Sequence, residues 1–246
     1  MGTMAAAPSP ETSTPPDLVT APGGDGWCLV MPVKGGPTAK SRLARDDRAA
    51  LARAVALDAV AAALACPLVM QVLVVTGDET CALEHAELGA TVLPDPGQGL
   101  GAALLSGAAA ARPSGPCGLL LADLPALRPA DLVITLQACL RLLRGRPDER
   151  RMVTVPDADG DGTVLLAARR PTDLEPRFGT GSALAHAQVA HVLTDVPDGV
   201  RRDVDTGEHL RSAVALGVGP RTAKVLAGQP RSTIAPNDAS FSPKRS

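Results

Sequence analysis

Apolar residues in this chain fall into short unbroken runs of strand length, separated by longer stretches with helical spacing. The run Trp27–Val33 closes on a Gly-Gly-Pro turn and predicts a buried strand. Asp47–Leu64 then carries Leu51, Val55, Ala59 and Ala62 on one side of a helix. A second buried strand is expected at Gln71–Val75, a helix at Glu79–Leu88, and a short strand at Ala90–Leu93. An Ala-rich helix over Gly99–Ala111 leads to a third strong strand at Gly118–Ala122. Pro129–Leu143 reads as another helix, with Pro129 at an early position that tolerates proline. Continuous apolar strands separated by helices predict an α/β fold with a parallel sheet covered on both faces.

Beyond Arg150 the pattern changes. Met152–Val155, Thr163–Ala168 and His191–Thr194 read as strands around one helix, Gly181–Val189, which predicts a mixed-sheet extension that completes a site. A further helix is expected over Gly207–Leu216. Residues 1–26 and 228–246 are rich in small and polar residues without periodicity and read as disordered tails around one domain, 27–227.

Composition narrows the function. Aromatic residues make up 1% of the chain, with one Trp, two Phe and no Tyr, so a surface that stacks bases is excluded. The net charge of -2, with both signs interspersed, gives no footprint for nucleic acid or an anionic membrane. The five cysteines are odd in number and form no CxxC pair, which fits a reducing cytosol better than a disulfide framework or a zinc site. No signal peptide is expected, and no apolar run reaches membrane-spanning length.

In doubly wound sheets ligands sit outside the carboxyl ends of the strands, where this chain places its polar residues. Lys34 to Arg42 (KGGPTAKSR) follows the first strand. Its glycines admit a phosphate, and Lys34, Lys40 and Arg42 are placed to neutralise a triphosphate; a solvated basic loop is the alternative. The GxxxxGK[ST] pattern of a P-loop is absent, and GxGxxG does not occur at this turn.

Asp123 ends the third strong strand and is followed by Leu124-Pro125, and Asp203 and Asp205 share a face if their segment is extended. Carboxylates converging on one point repel each other unless a cation is present, which points to a hard ion such as Mg2+. Helix capping by Asp123, Asp205 or Thr206 is the competing reading. Asp95 to Gly101 (DPGQGLG) is a glycine-rich turn feeding a helix, able to cradle a base or ribose or simply to turn the chain. Asp157 to Thr163 imitates the start of an EF-hand loop, but Ala168 stands where the bidentate Glu belongs, so a polar turn is expected. Phe178 to Ser182 precedes a helix whose N-terminus could take an anion, or which Ser182 could merely cap. The four His residues are scattered; His85 and His209 are expected on exposed helix faces, and no Ser–His or Cys–His mechanism is supported.

In this order, Pro32-Val33-Lys34, Ala39 to Leu43, Asp95 to Leu104, Ala122 to Pro125, Asp161 to Thr163, Phe178 to Ser182 with Ala185-His186, and Asp203 to Thr206 resemble the guanylyltransferases that make the activated precursor of coenzyme F420. The resemblance runs from about Trp27 to Leu226. It implies a three-layer, Rossmann-like nucleotidyltransferase fold of the molybdopterin-guanylyltransferase kind with a mostly parallel mixed sheet. It also implies condensation of GTP with 2-phospho-L-lactate or, in actinobacterial members, phosphoenolpyruvate. Asp123, Asp203 and Asp205 would hold magnesium against the acceptor phosphate. Thr163, Gly179 and Ser182 would bind the acceptor's carboxylate end, and Lys34 with Asp95, Gly99 and Gly101 would face the nucleotide. The chain departs from the family at Gly101, where Asn is frequent, and at Val164, where Asn often follows the Thr. A related acceptor such as 3-phosphoglycerate, a sugar phosphate or molybdopterin, and a non-catalytic nucleotide-sensing module, remain as alternatives.

Overall fold

The computed structural model describes residues 26–34, 47–144 and 150–228. Lys40, Arg42 and, apart from Gly26 and Gly228, both predicted tails lie outside the described residues. The elements are β1 (Trp27–Pro32), α1 (Arg48–Leu64), β2 (Val69–Thr76), α2 (Glu79–Glu87), β3 (Thr91–Pro94), α3 (Leu100–Ala110) and β4 (Cys117–Leu120). There follow α4 (Pro129–Arg144), β5 (Met152–Pro156), β6 (Thr163–Ala168), α5 (Ser182–Ala187), β7 (Ala190–Val192), α6 (Asp198–Arg201), α7 (Gly207–Leu216) and α8 (Pro220–Ala227).

The strands form one seven-stranded sheet in the order β3-β2-β1-β4-β6-β5-β7. β1 to β4 are mutually parallel where they pair. β6 runs antiparallel to both β4 and β5, while β7 is parallel to β5. One reversed strand thus converts a doubly wound half-sheet into the expected mixed sheet.

Alternation of side chains along each strand splits the core into two layers. Trp27, Leu29 and Met31 of β1 with Val72 and Val74 of β2 face α1, α2 and α4. Cys28 and Val30 with Leu73 and Val75 face α3 on the other side, joined by Met152 and Leu166. Ala-rich helices let the layers close: a Cβ on Gly107 of α3 would stand 2.2 Å from Val30 Cγ1, so only glycine lets that helix seat on β1. All five cysteines are buried and free. Burial pushes the Cys81 thiol up to about 11 and that of Cys139 to about 12, so neither is a nucleophile near neutral pH.

A third, smaller cluster joins Leu51 and Val55 of α1 to Val204, Leu210 and Ala213, with Val225 and Leu226 of α8 packed on it. Helix α8 was not predicted. Its N-terminus is capped across the fold by Asp58 of α1, whose carboxylate accepts from the backbone N–H groups of Arg221 (3.2 Å) and Thr222 (2.7 Å). The predicted helix Gly181–Val189 is shorter than expected, because Gln188 and Val189 turn the chain into β7.

Candidate functional site

The carboxyl ends of β1 and β4 are neighbours, so residues just beyond them open onto one cleft. It has a volume of about 310 Å³ and is lined by Val33 and Lys34 after β1, Ala122 and Asp123 after β4, Ala52 and Ala56 of α1, Leu100 of α3, and Asp205. Lys34, Asp123 and Asp205, predicted separately from sequence, therefore meet in one place. Leu100 stands between Gly99 and Gly101, which brings the predicted base loop to the same cleft. Within that loop Asp95 turns back on itself, its Oδ1 accepting from Gly97 N–H at 2.8 Å, and Gly99 takes a positive φ of 91° at the N-terminus of α3. A side chain at Gly99 would strain that turn.

The Asp123 loop is gripped from behind by two backbone hydrogen bonds. Val204 N–H donates to Asp123 O at 3.1 Å, and Gly219 N–H donates to Pro125 O at 2.9 Å. Val204 itself is fully buried in the small third cluster, which anchors the Asp-Val-Asp segment by its middle residue. Asp203 follows a three-residue turn in which its N–H bonds Arg201 O at 3.1 Å, and it does not line the cleft. Among the described residues no three His, Cys, Asp or Glu side chains converge closely enough to hold a metal ion. Of the three predicted carboxylates, Asp123 and Asp205 line the cleft. A pair suits magnesium, which commonly takes one or two protein carboxylates and completes its shell with substrate phosphates and water. Capping is also present: Thr206 Oγ accepts from His209 N–H at 3.2 Å, leaving Asp205 outside that role.

The predicted acceptor residues gather at the β5–β6 side of the sheet. Thr163 opens β6, Gly179 lies in the loop before α5, and Ser182 starts α5. Thr163 and Ser182 are each 2% exposed, whereas Gly179 is open to solvent. Helix α5 has six residues, and Gly181 occupies its cap position with no side-chain cap hydrogen bond, so Ser182 is not the cap of its own helix. His186, unassigned from sequence, is what joins the group. Its Nδ1 lies 2.8 Å from Thr163 Oγ, and its Nε2 accepts from Arg177 N–H at 2.8 Å.

Burial and then the Arg177 charge hold the His186 imidazole down at about 4, against the ordinary value of 6.5. The unfolded chain therefore takes up this proton first as pH falls. No effect is expected above about pH 6.5, and stability should be lost progressively between 6.5 and 4, by roughly 2–3 kcal/mol near the lower end. Urea melts at neutral pH and near the lower end of that window should show the loss, and His186→Gln should remove most of the difference between them.

The loop imitating an EF-hand is a polar turn, as expected. Asp157 accepts from Gly160 N–H (2.6 Å), Asp161 N–H (3.1 Å) and Gly162 N–H (2.6 Å), which closes the turn on its carboxylate. Arg201 locks this turn by donating to the carbonyls of Pro156, Asp157 and Thr194. Asp159 then pairs with Arg202 (3.0 Å) and His209 (3.0 Å), tying the acceptor-side turn to the Asp203–Asp205 segment. Sequence spacing gave no sign of these long-range pairings. His209 is thus a bridging residue rather than a bystander. His85, expected to be exposed, is fully buried with Nδ1 2.7 Å from Cys81 O, because Cys81 and His85 at i and i+4 form the inner face of α2.

Residues 41–197 match the family described as MobA-like NTP transferase domain. The phosphoenolpyruvate guanylyltransferase of Streptomyces coelicolor is 51% identical over 211 residues, covering 82% of this chain and 96% of that protein. The protein of the same name from Salinispora arenicola is 50% identical, over 80% of this chain and 92% of its own length. Among solved structures, a putative nucleotide-diphospho-sugar transferase from Desulfovibrio desulfuricans G20 shares the fold with a TM-score of 0.53 at 17% identity, over 77% of this chain and 96% of that one.

Proposed function

The chain belongs to the MobA-like NTP transferases and, within them, to the phosphoenolpyruvate guanylyltransferases, and from that premise we propose that it transfers GMP from GTP to phosphoenolpyruvate in coenzyme F420 biosynthesis. The observation that carries this reading is the meeting of Lys34, Asp123 and Asp205 in one cleft at the strand ends. An oxygen of the acceptor phosphate attacks the α-phosphorus of GTP. The bond from that phosphorus to the bridging oxygen breaks, and pyrophosphate leaves with the electron pair. The acceptor phosphate is already ionised near neutral pH, so no general base is needed. Among the described residues, the cleft is lined by neither His nor Cys.

Asp123 and Asp205 are the residues suited to holding magnesium, with Asp203, on the strength of the resemblance, as a further ligand. When bound, the ion offsets phosphate charge and orients the acceptor phosphate. Lys34 stands at the cleft to neutralise the nucleotide phosphates as pyrophosphate departs, and Lys40 and Arg42 would join it. Leu100, with Gly99 and Gly101 beside it, offers an apolar rim and an approachable backbone for the base and ribose. Thr163, Gly179 and Ser182 serve the carboxylate end of the acceptor. Five free thiols fit a reducing cytosol.

The decisive experiment is a pyrophosphate-release assay on the full chain with GTP, magnesium and phosphoenolpyruvate. 2-Phospho-L-lactate and 3-phosphoglycerate run beside it as acceptors, and ATP and CTP as donors. Fastest turnover with GTP and phosphoenolpyruvate is expected. Preference for another acceptor would replace the substrate while leaving the transfer chemistry; tight GTP binding without any turnover would defeat the reading.

A further inference from the structure

Resting on the acceptor reading above, we infer that His186 is a positioning residue: as a neutral imidazole it fixes the 177–181 loop and turns the Thr163 hydroxyl into a donor toward the acceptor's carboxylate. The argument begins with a proton count. A backbone N–H can only donate, so the 2.8 Å contact from Arg177 N–H requires a lone pair on His186 Nε2. A neutral ring with that nitrogen bare carries its proton on Nδ1. Nδ1 lies 2.8 Å from Thr163 Oγ, so the hydroxyl accepts there. Its own proton is then directed elsewhere, and the nearest side-chain partner, Thr154 Oγ at 3.5 Å, is a poor one for an O–H···O bond. A buried hydroxyl held in this state is set to donate to an anionic oxygen.

The same ring fixes the loop. Residues 174–178 belong to no strand or helix. His186 bonds the backbone of Arg177 and packs edge-on to Phe178, with ring centroids 5.1 Å apart at 71°. Immediately beyond, the chain turns through Gly179 (φ 133°) and Gly181 (φ 71°), conformations that leave their backbone exposed. Two successive residues clamped by one side chain give those glycines a fixed platform. Without it, the exposed turn loses its registry with Thr163. The consequence falls on the small carboxylate end of the acceptor rather than on the nucleotide cleft, whose described lining does not include His186.

Steady-state pyrophosphate release by the full chain tests this, varying GTP and phosphoenolpyruvate separately. His186→Phe keeps a ring for Phe178 and removes both nitrogens. Thr163→Val exchanges the hydroxyl for a methyl of similar size, and His186→Gln keeps donor and acceptor groups. Fluorescence of the single tryptophan, Trp27, fully buried in the core, checks that each protein is folded. KM for phosphoenolpyruvate should rise about tenfold in His186→Phe, with KM for GTP and kcat changed by less than about twofold. Thr163→Val should move the same constant in the same direction, and His186→Gln should recover part of the loss. Should His186→Phe fail to fold, Thr163→Val decides alone. A parallel rise in both KM values, or no rise for phosphoenolpyruvate, overturns the inference. No turnover by the unaltered chain with any acceptor overturns the functional reading, and the inference with it.

Discussion

Asp123→Asn and Asp205→Asn proteins are expected to fold and to lose nucleotidyl transfer by a factor on the order of 10²–10³. Both side chains line the cleft, and both come from segments whose position the backbone sets independently of the carboxylate. Asp123 is followed by Leu124, fully buried, and Pro125, whose carbonyl accepts from Gly219. Asp205 follows buried Val204 and precedes the cap of α7. Removing one negative oxygen therefore changes the charge of the site and leaves its scaffold in place. Loss of a ligand to a catalytic ion commonly costs several kcal/mol of transition-state stabilisation. Both variants should also need more magnesium for half-maximal rate. Asp203→Asn should lose less, because Asp203 stands outside the cleft lining. The measurement is pyrophosphate release across a magnesium titration. Equal losses at all three positions would instead favour a three-ligand site, and wild-type turnover in Asp123→Asn would remove the metal role altogether.

The largest stability effect is expected at Asp58, a residue far from the chemistry in sequence and buried to 6% exposure. Its carboxylate accepts two N–H groups at the start of α8 and the Arg221 guanidinium at 3.4 Å. The cap position of α8 is Gly219, which has no side chain to serve the helix end, and a Cβ there would stand 2.4 Å from Asp58 Cγ. The glycine makes room for a cap supplied by another helix. Asp58→Ala leaves two donors without that acceptor, and the N–H of fully buried Thr222 is poorly placed to find water. Orphaning buried donors costs about 1–3 kcal/mol for each group. A total of roughly 2–4 kcal/mol is expected, lowering Tm by about 5–12 °C for a chain of this size. Asp58→Asn retains one acceptor oxygen and should lose about half as much. Thermal melts followed by circular dichroism will measure this; a drop of under about 2 °C in Asp58→Ala would mean that α8 is held by its apolar face alone.

Much of this architecture was legible in the apolar pattern because strand and helix periods differ so plainly in it. Gln71–Val75 and Thr163–Ala168 had no competing reading, and their structural counterparts agree with them closely. The cleft was legible too, since polar residues placed just past buried strands have little structural reason to be there. What escaped was everything set by distant partners. Helix α8 is short, and its start depends on Asp58 of α1. His85 looked exposed because a polar ring on a short helix gives no sign that its Nδ1 bonds Cys81 O on the inner face. His186 had no visible task until Arg177 and Thr163 came within reach of opposite sides of its ring. The Asp159 pairings with Arg202 and His209 likewise join segments that no local spacing connects.

The grip on the Asp123 loop also has a bearing on how the chain matures during synthesis. Strands β1 to β4 pair among themselves, so a nascent chain can begin this half of the sheet once residue 120 has emerged. The cleft cannot be finished then. The bond from Val204 to Asp123 and that from Gly219 to Pro125 await segments made about 80 to 90 residues later, and closing such distant contacts is slow. A chain cut short just before Val204 retains all seven strands yet lacks Asp205. The protein is therefore expected to acquire its acidic pair only as α7 and α8 dock, so that competence for chemistry waits on the third cluster.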